Sequence, residues 1–455
     1  MTERTVSATT ADLRRAIAAA NLEALNAVLD GLPAHEAAHT VASLAAADQQ
    51  HLLALLPDSQ AADLIEAMPE PQAAQLIAHM PVEEAAAIFN RLDSDEQADL
   101  MARLPDHEAR AILQQMSAEE AADTQRLMEY PAESAGGLMI SEFVAYFAGQ
   151  TVNDVVNDLR SKSEQYQAYD VQYAYVVSAT RQLVGVLRLR DLLLAAPHRR
   201  LTDIMIAAPL RVTTGASLEE LERFFDRHSL FGVPVVDGLN RLVGVVRRHD
   251  VEEAAEERSS RSFLKYMGIL GGEELRSMPL RQRCLGRLSW LTVNIVLNII
   301  AASVIAFHQD TLSAVIALAV FLPIISDMSG CSGNQAVAVS LRELTLGLLR
   351  PSEVWRVCLK EIAVGCVNGC VLGGMLGLVA WLWQGNLALG CVVGTALALN
   401  TVIAVILGGA VPLVLRGLRQ DPALASGPIL TTFTDMCGFL LVLTVAQWSL
   451  RYLLS

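Results

Sequence analysis

Two repeats and then a series of long apolar runs succeed one another along the 455 residues. The first repeats every twelve, its units opening at Leu56-Pro57, Met68-Pro69, Met80-Pro81, Leu92-Asp93, Leu104-Pro105 and Met116-Ser117. Within a unit such as Pro81-Val-Glu-Glu-Ala-Ala-Ala-Ile-Phe89 the apolar positions form one stripe, which predicts a short helix. Proline suits the first helical turn, where its missing N–H removes no bond, and the acids that follow suit the positive helix end. Helices this short bury their stripes only against neighbouring units, so residues 1–129 are expected to form an all-α, right-angled superhelical solenoid.

The second period is 59 residues. Tyr175-Val-Val, Leu183-Val-Gly-Val and Asp191 recur as Pro234-Val-Val, Leu242-Val-Gly-Val and Asp250, behind amphipathic runs at 152–159 and 218–225. Paired valine strands flanked by helices, in tandem, resemble a pair of α+β CBS domains at 130–200 and 201–250. The resemblance implies two halves about a pseudo-twofold axis, with ATP or another adenine nucleotide held at Tyr173, Arg190 and Asp191, the aspartate on the ribose. Where relatives carry Ser or Thr three residues before the aspartate, this chain has Arg188 and Arg247.

From Arg287 the period gives way to long apolar runs. Residues 288–307 are uncharged and long enough to cross a hydrocarbon core of about 30 Å. Four more runs, at 311–341, 362–383, 386–415 and 423–450, predict an all-α transmembrane domain of five helices over 288–455. The loop with Arg342, Arg350, Arg356 and Lys360 and the loop with Arg416 and Arg419 fall on the side of the N-terminal half. That side is cytoplasmic by the positive-inside rule, with the C-terminus outside, as in a multi-pass inner-membrane protein. Trp290, Trp381, Trp383 and Trp448 sit near span ends, where they would meet lipid headgroups. Residues 251–287 are read as a connecting helix, acidic at Glu252, Glu253, Glu256 and Glu257 and basic at Arg276, Arg281, Arg283 and Arg287.

Charge sharpens the division. Residues 1–275 carry 42 acids against 23 bases, a balance of −19, whereas residues 276–455 carry 7 against 11. So acidic a surface repels nucleic acid and is matched by cations. All seven cysteines lie at or beyond Cys284, which is no disulfide framework. Cys366 and Cys370, four apart, read as two small apolar residues rather than a metal pair. The N-terminus has no apolar run of signal-peptide type, so the acidic half is expected to stay in the cytoplasm.

Asp435, inside the fifth run, and Asp327, in the second, are carboxylates at membrane depth. Such a charge costs roughly 2.5–3.5 kcal/mol even on insertion scales, so it faces a partner or a wet path. No Lys or Arg lies within the five runs to neutralise Asp435. Pro323 and the polar stretch Ser329-Gly-Cys-Ser-Gly-Asn-Gln335 predict a break in the second helix, whose free carbonyls would line a cavity. Carboxylate, carbonyl and amide oxygens suit Mg2+ that keeps its water, and two copies of Asp435 on a twofold axis would match one dication.

Solenoid, CBS pair, connecting helix and five-helix domain, in that order, resemble the MgtE family of magnesium channels. The most specific stretches are 130–139 (Tyr-Pro-Ala-Glu-Ser-Ala-Gly-Gly-Leu-Met), Phe321-Leu-Pro323, Gly333-Asn-Gln335, Arg342-Glu-Leu and Asp421-Pro-Ala423 through Gly427, Pro428 and Thr432 to Asp435 and Gly438. The resemblance implies a homodimer in membrane lipid, not binding nucleic acid, whose pore takes hydrated Mg2+ at Asp435 with Gly330, Asn334, Gly427 and Thr431. It also implies closure when cytosolic Mg2+ bridges acidic faces, to which Asp93, Asp95, Asp250, Glu253, Glu256 and Glu257 correspond; singly, each is an ordinary solvated acid. Three departures stand out: Ser329 and Cys331 where relatives have Gly and Asn, Arg258 and Arg261 where acids are usual, and His308 where an acid is frequent, with Asp310 close by. Two other readings remain, a Na+- or H+-coupled divalent cation exchanger and a non-conducting CBS-regulated cation sensor. No Walker loop, zinc-spaced Cys/His set or nucleophile with a base is present, so no enzyme is expected.

Overall fold

The structure, a computed structural model, describes residues 3–166, 169, 172–269, 274 and 278–453. Arg276, counted above with the basic end of the connector, lies outside them. The chain forms two compact units, Met1–Glu257 and Arg258–Ser455, each described by itself.

The first unit begins with ten helices: α1 (Glu3–Ala18), α2 (Leu22–Leu29), α3 (Ala34–Ala42), α4 (Ala46–Leu55), α5 (Asp58–Glu66), α6 (Glu70–Ile77), α7 (Val82–Phe89), α8 (Ser94–Arg103), α9 (Asp106–Gln115) and α10 (Ala118–Leu127). From α5 onward they follow the twelve-residue period. Ile65, Ile77, Phe89 and Met101, spaced by twelve, are almost wholly buried in one core, and Leu56, Met68, Met80, Leu92, Leu104 and Met116 are buried beside them. The prolines sit one residue earlier than expected. Pro57, Pro69, Pro81 and Pro105 are cap residues with ψ between 131° and 145°, and the helix starts after each. An extended cap keeps proline's ring clear of the helix while its carbonyl accepts the first helical bond, from Ala61, Ala73, Ala85 and Ala109 respectively, each at 3.0 Å.

Two small sheets follow. The first has the order β1 (Val144–Phe147), β2 (Tyr173–Val177), β3 (Leu183–Arg188), β4 (Ile206–Ala207), with β1 parallel to β2 and the others antiparallel. The second has β5 (Val212–Thr213) parallel to β6 (Gly232–Val236), which pairs antiparallel with β7 (Leu242–Arg247). Helices α11 (Val152–Ser161), α12 (Ser163–Tyr166), α13 (Leu189–Leu194) and α14 (Leu218–Arg227) accompany them, and α15 (Arg248–Tyr266) follows β7 directly. The 59-residue offset is visible in the bonds themselves. Leu183 N donates to Asn240 O at 3.0 Å and Leu242 N to Arg181 O at 3.2 Å, and Arg181 and Asn240 share a left-handed φ of 60° and 61°.

The halves also trade their leading segments. β4, drawn from the stretch that opens the second repeat in sequence, joins the first sheet, whereas Ile140 bridges Val245 of the second and Ala135, Leu138 and Met139 enter its core. Gly185 and Gly244, the glycines of the repeated motif, make room for this. A Cβ on either would stand 2.3 Å from Met205 Sδ or 2.6 Å from Met139 Sδ.

The second unit contains α16 (Leu280–Phe307), α17 (Gln309–Ala314), α18 (Leu318–Thr345), α19 (Val354–Gln384), α20 (Leu387–Gly417), α21 (Pro422–Trp448) and α22 (Leu450–Leu453). Among the described residues four helices are long and apolar enough to cross a membrane: those at 280–307, 351–384, 387–417 and 427–448. α18, the second expected span, has the length at 28 residues but not the apolarity, because Ser326, Asp327, Ser329, Ser332, Asn334 and Gln335 interrupt it.

The expected break within that helix is corrected. α18 runs unbroken through Pro323 and the whole polar stretch, and the irregular backbone lies earlier, at residues 315–317. Pro323 stands in the second turn, where losing one N–H leaves the later ladder intact. Gly333 serves close packing instead: its carbonyl would lie 2.2 Å from a Cβ on Gly408 of α20. The carbonyls of this stretch are therefore offered to the helical ladder rather than left free. α20 is the most buried of the four apolar helices and packs against α18, α19 and α21. Gly373 of α19 and Gly394 of α20 let two backbones touch, since a Cβ on either would stand 2.4 or 2.6 Å from the other's carbonyl oxygen.

Candidate cation sites

In the second unit the carboxylate of Asp435 is buried, 7% exposed, on α21. Ser326 Oγ of α18 donates to its Oδ1, and neighbouring Asp327, exposed, is close enough to repel it. Among the described residues no cationic side chain is paired with Asp435. The Ser326–Asp435 bond and the packing of Gly333 on Leu430 run the two helices antiparallel. Residues four apart share a helix face. Ser326, Gly330 and Asn334 therefore form a row on α18, and Asp435, Thr431 and Gly427 form the row on α21 that the antiparallel alignment sets beside it.

Nothing lies within 4 Å of a Cβ built on Gly330 or Gly427, so open space adjoins both. The carbonyl of Gly427 accepts from Thr431 Oγ1 at 3.0 Å. Asn334, half-buried, accepts at Oδ1 from the Tyr266 hydroxyl at 3.5 Å, and Lys265 Nζ lies 3.2 Å from Asp421 Oδ2, the cap of α21. The last turn of α15 thus touches both oxygen-bearing helices. Ser326, Lys265 and Tyr266 carry no signal in the sequence, since a serine in an apolar run and a lysine or tyrosine in a connector follow no period.

In the first unit the acids divide. Asp93, the cap of α8, and Asp95 in its first turn converge with Asp250 of α15 on one guanidinium, Arg247. Its Nη1 meets Asp93 Oδ2 at 2.6 Å, its Nε meets both oxygens of Asp250 at 2.8 and 3.0 Å, and its Nη2 lies 3.9 Å from Asp95 Oδ2. Glu66 and Glu96 crowd the same spot. Burial, then the charge of Asp250, holds Asp95 well above the usual carboxylate range, and burial also raises Asp250. Glu96 is pushed up to about 9 by burial and by Glu66, Asp95 and Asp93, and its Oε2 has no hydrogen-bond partner. Glu66 is raised by burial and then by Asp93 and Asp63. Nearby, Ser94 Oγ donates to Glu142 Oε2 and accepts from Ser141 N, both at 2.8 Å, tying α8 to the segment that precedes β1.

Of the other expected regulatory acids, Glu253 and Glu256 are exposed on α15, and Glu253 is 3.9 Å from His249. Among the described residues no three His, Cys, Asp or Glu side chains are set to hold a metal ion. Arg247 fills the middle of the acids instead. From sequence it registered only as a missing Ser or Thr, because Asp93 stands 154 positions away.

A cleft opens between the two sheets, lined by Glu142, Phe143, Tyr173, Tyr175, Phe231 and Arg247, among others. Tyr173 therefore faces a cavity that Arg190 and Asp191 do not line; those two lie 3.5 Å apart on α13, Arg190 exposed.

Three family models match: a divalent cation transporter domain, MgtE, over residues 322–445, the MgtE intracellular N domain over 11–133, and a CBS domain over 201–257. The chain is 32% identical over 322 residues to the magnesium transporter MgtE of Bacillus subtilis, 71% of each chain. It is 34% identical over 332 residues to the magnesium transporter MgtE of Thermus thermophilus, 72% of each. The crystal structure of the cytosolic domain of the Mg2+ channel MgtE in complex with ATP matches 54% of this chain and 99% of its own, at 29% identity and a TM-score of 0.50. Apolar helix bundle, CBS pair and helical N domain define a multi-pass membrane transporter with a large soluble region. The chain belongs to the MgtE family.

Proposed function

We propose that this protein conducts hydrated Mg2+ across the inner membrane as a homodimer, with Asp435 of each subunit facing a shared pore. The observation that carries the reading is a buried carboxylate with no cationic partner, on a helix row that also bears Thr431 and Gly427 and lies against Gly330 and Asn334. Magnesium sheds water reluctantly, so such oxygens hold the ion through its hydration shell rather than strip it. The relatives named magnesium transporters support the choice of ion. The cytoplasmic side takes the N-terminal unit and, with α18 crossing as a fifth span among the apolar helices, the C-terminus lies outside, as the basic loops direct.

Closure follows from the acids of the first unit. Divalent cations screen the mutual repulsion of Asp93, Asp95 and Asp250, and the exposed Glu253 and Glu256 extend the same field. Arg247 already supplies one fixed positive charge there, so cation dependence is expected to be shallow. A relative's cytosolic domain binds ATP; in this chain Tyr173, at the cleft, and Arg190 with Asp191, outside it, are the residues to examine with adenine nucleotide.

The test is Mg2+ flux into proteoliposomes carrying the full chain and its Asp435→Asn variant, with and without Na+ or pH gradients. Flux that follows membrane potential alone and is lost in the variant supports the channel. Dependence on a Na+ or pH gradient turns the reading to a coupled exchanger, and undiminished flux in the variant removes Asp435 from the pathway.

A further inference from the structure

α20 contains one amide side chain between Leu387 and Gly417, Asn400, and it is fully buried. Its Nδ2 donates to Ser329 Oγ of α18 at 2.6 Å and to the Thr434 carbonyl of α21 at 3.0 Å. The single hydroxyl hydrogen of Ser329 is shared between the carbonyls of Ile325 and Ser326, 2.7 and 3.0 Å from its Oγ. Gly438 admits the amide to the groove of α21, since a Cβ there would stand 2.6 Å from Nδ2. The carbonyl thus engaged is the one that the helical ladder offers to Gly438 N–H, four residues on.

This arrangement is a poor way to gain stability. Asn400 Oδ1 has no hydrogen-bond partner, and an apolar residue of similar volume would carry no such unsatisfied acceptor. What the amide does accomplish is geometric. It joins three helices at one level, touching the residue before Asp435 on one side and, through Ser329, the carbonyl of Ser326 on the other. Ser326 and Asp435 are themselves hydrogen-bonded to each other. The loop Asn400–Ser329–Ser326–Asp435–Thr434 closes on itself.

We infer that Asn400 is a positioning residue for cation passage, fixing the rotation of α21 against α18 and with it the height and direction of the Asp435 carboxylate. The inference rests on the reading of Asp435 as the pore carboxylate. Groups that orient a cation-binding carboxylate without touching the ion govern affinity more than fold.

The experiment measures Mg2+ flux against Mg2+ concentration in proteoliposomes of the full chain, for wild type, Asn400→Leu, Ser329→Ala, the double variant and Asp435→Asn. The expected result is a rise in half-saturating Mg2+ of roughly 10–100-fold in Asn400→Leu, the range seen when the support of a metal ligand is removed. Maximal flux should change far less, a split that a general loss of folding would not produce. Ser329→Ala should shift in the same direction, and the double variant should be no worse than Asn400→Leu. Should Asn400→Leu fail to fold, Ser329→Ala decides alone. Flux curves for either variant that overlie wild type, while Asp435→Asn abolishes flux, overturn the role of Asn400. Flux that survives in Asp435→Asn overturns the underlying pore reading instead.

Discussion

Replacing Arg247 by Gln removes a guanidinium that meets Asp93, Asp95 and Asp250, three acids from two segments of the chain. At an effective dielectric of about 20, unit charges 4 Å apart interact by about 4 kcal/mol, and Arg247 engages two of its three partners more closely than that. Deleting one member of a buried ion pair costs about 3–5 kcal/mol, because the partners stay behind uncompensated. Proton uptake relieves part of it, since burial already holds Asp95 and Asp250 above their ordinary range, so about 3 kcal/mol is the expected cost at pH 7. Hydrogen exchange of the α8 amides in the full-length protein reads this directly. In EDTA, exchange through opening of α8 should accelerate about a hundredfold in Arg247→Gln, since each factor of ten corresponds to about 1.4 kcal/mol. Saturating Mg2+ should restore much of the protection in the variant, by about 1.4 kcal/mol at ten times its dissociation constant, while barely altering wild type. Equal Mg2+ responses in the two proteins, or unchanged exchange in the variant without Mg2+, would refute the idea that Arg247 stands in for a bound cation.

Two further outcomes follow from the same structure. Glu96 has a folded pKa of about 9, above its ordinary 4.5, so the unfolded chain releases this proton first and Glu96 erodes stability as pH rises between those values. Glu96→Gln should therefore match wild type near pH 4 and exceed it at pH 8 by up to about 4 kcal/mol in denaturant unfolding, and an equal gain at both pH values would contradict the assignment. Gly373→Leu in α19 should separate it from α20, where a Cβ alone would stand 2.4 Å from the Gly394 carbonyl oxygen, at a cost of about 1–3 kcal/mol in detergent unfolding; Gly374→Leu, facing open space, should cost little.

Both soluble repeats are legible in the sequence because each residue of a repeat meets the same surroundings in every copy. Burial of Ile65, Ile77, Phe89 and Met101 follows the twelve-residue period, and the reciprocal bonds between residues 181–183 and 240–242 accord with the pseudo-twofold pairing that the resemblance to CBS domains implies. The cation sites are less so. Asp435 stands out as a charge in an apolar run, yet its hydrogen bond to Ser326 joins positions 109 apart. Asn400 lies in a run with no period to break, and its partners come from two other helices. Pro323 and the polar stretch 329–335 suggest a break in the helix, yet a glycine such as Gly333 marks close approach of another backbone as readily as irregular structure, and here α20 makes that approach.

The exchange of leading segments between the two CBS repeats rewires the soluble unit. Directly after the solenoid, Ala135, Leu138 and Met139 enter the core of the second repeat, and Ile140 bridges Val245 there while packing also with Tyr175, Val177 and Leu183 of the first. The second repeat's final strand runs straight into α15. The solenoid is thus joined to the start of α15 by two routes, the chain that enters the core of the second repeat and the contact of Asp93 with Arg247, which also holds Asp250.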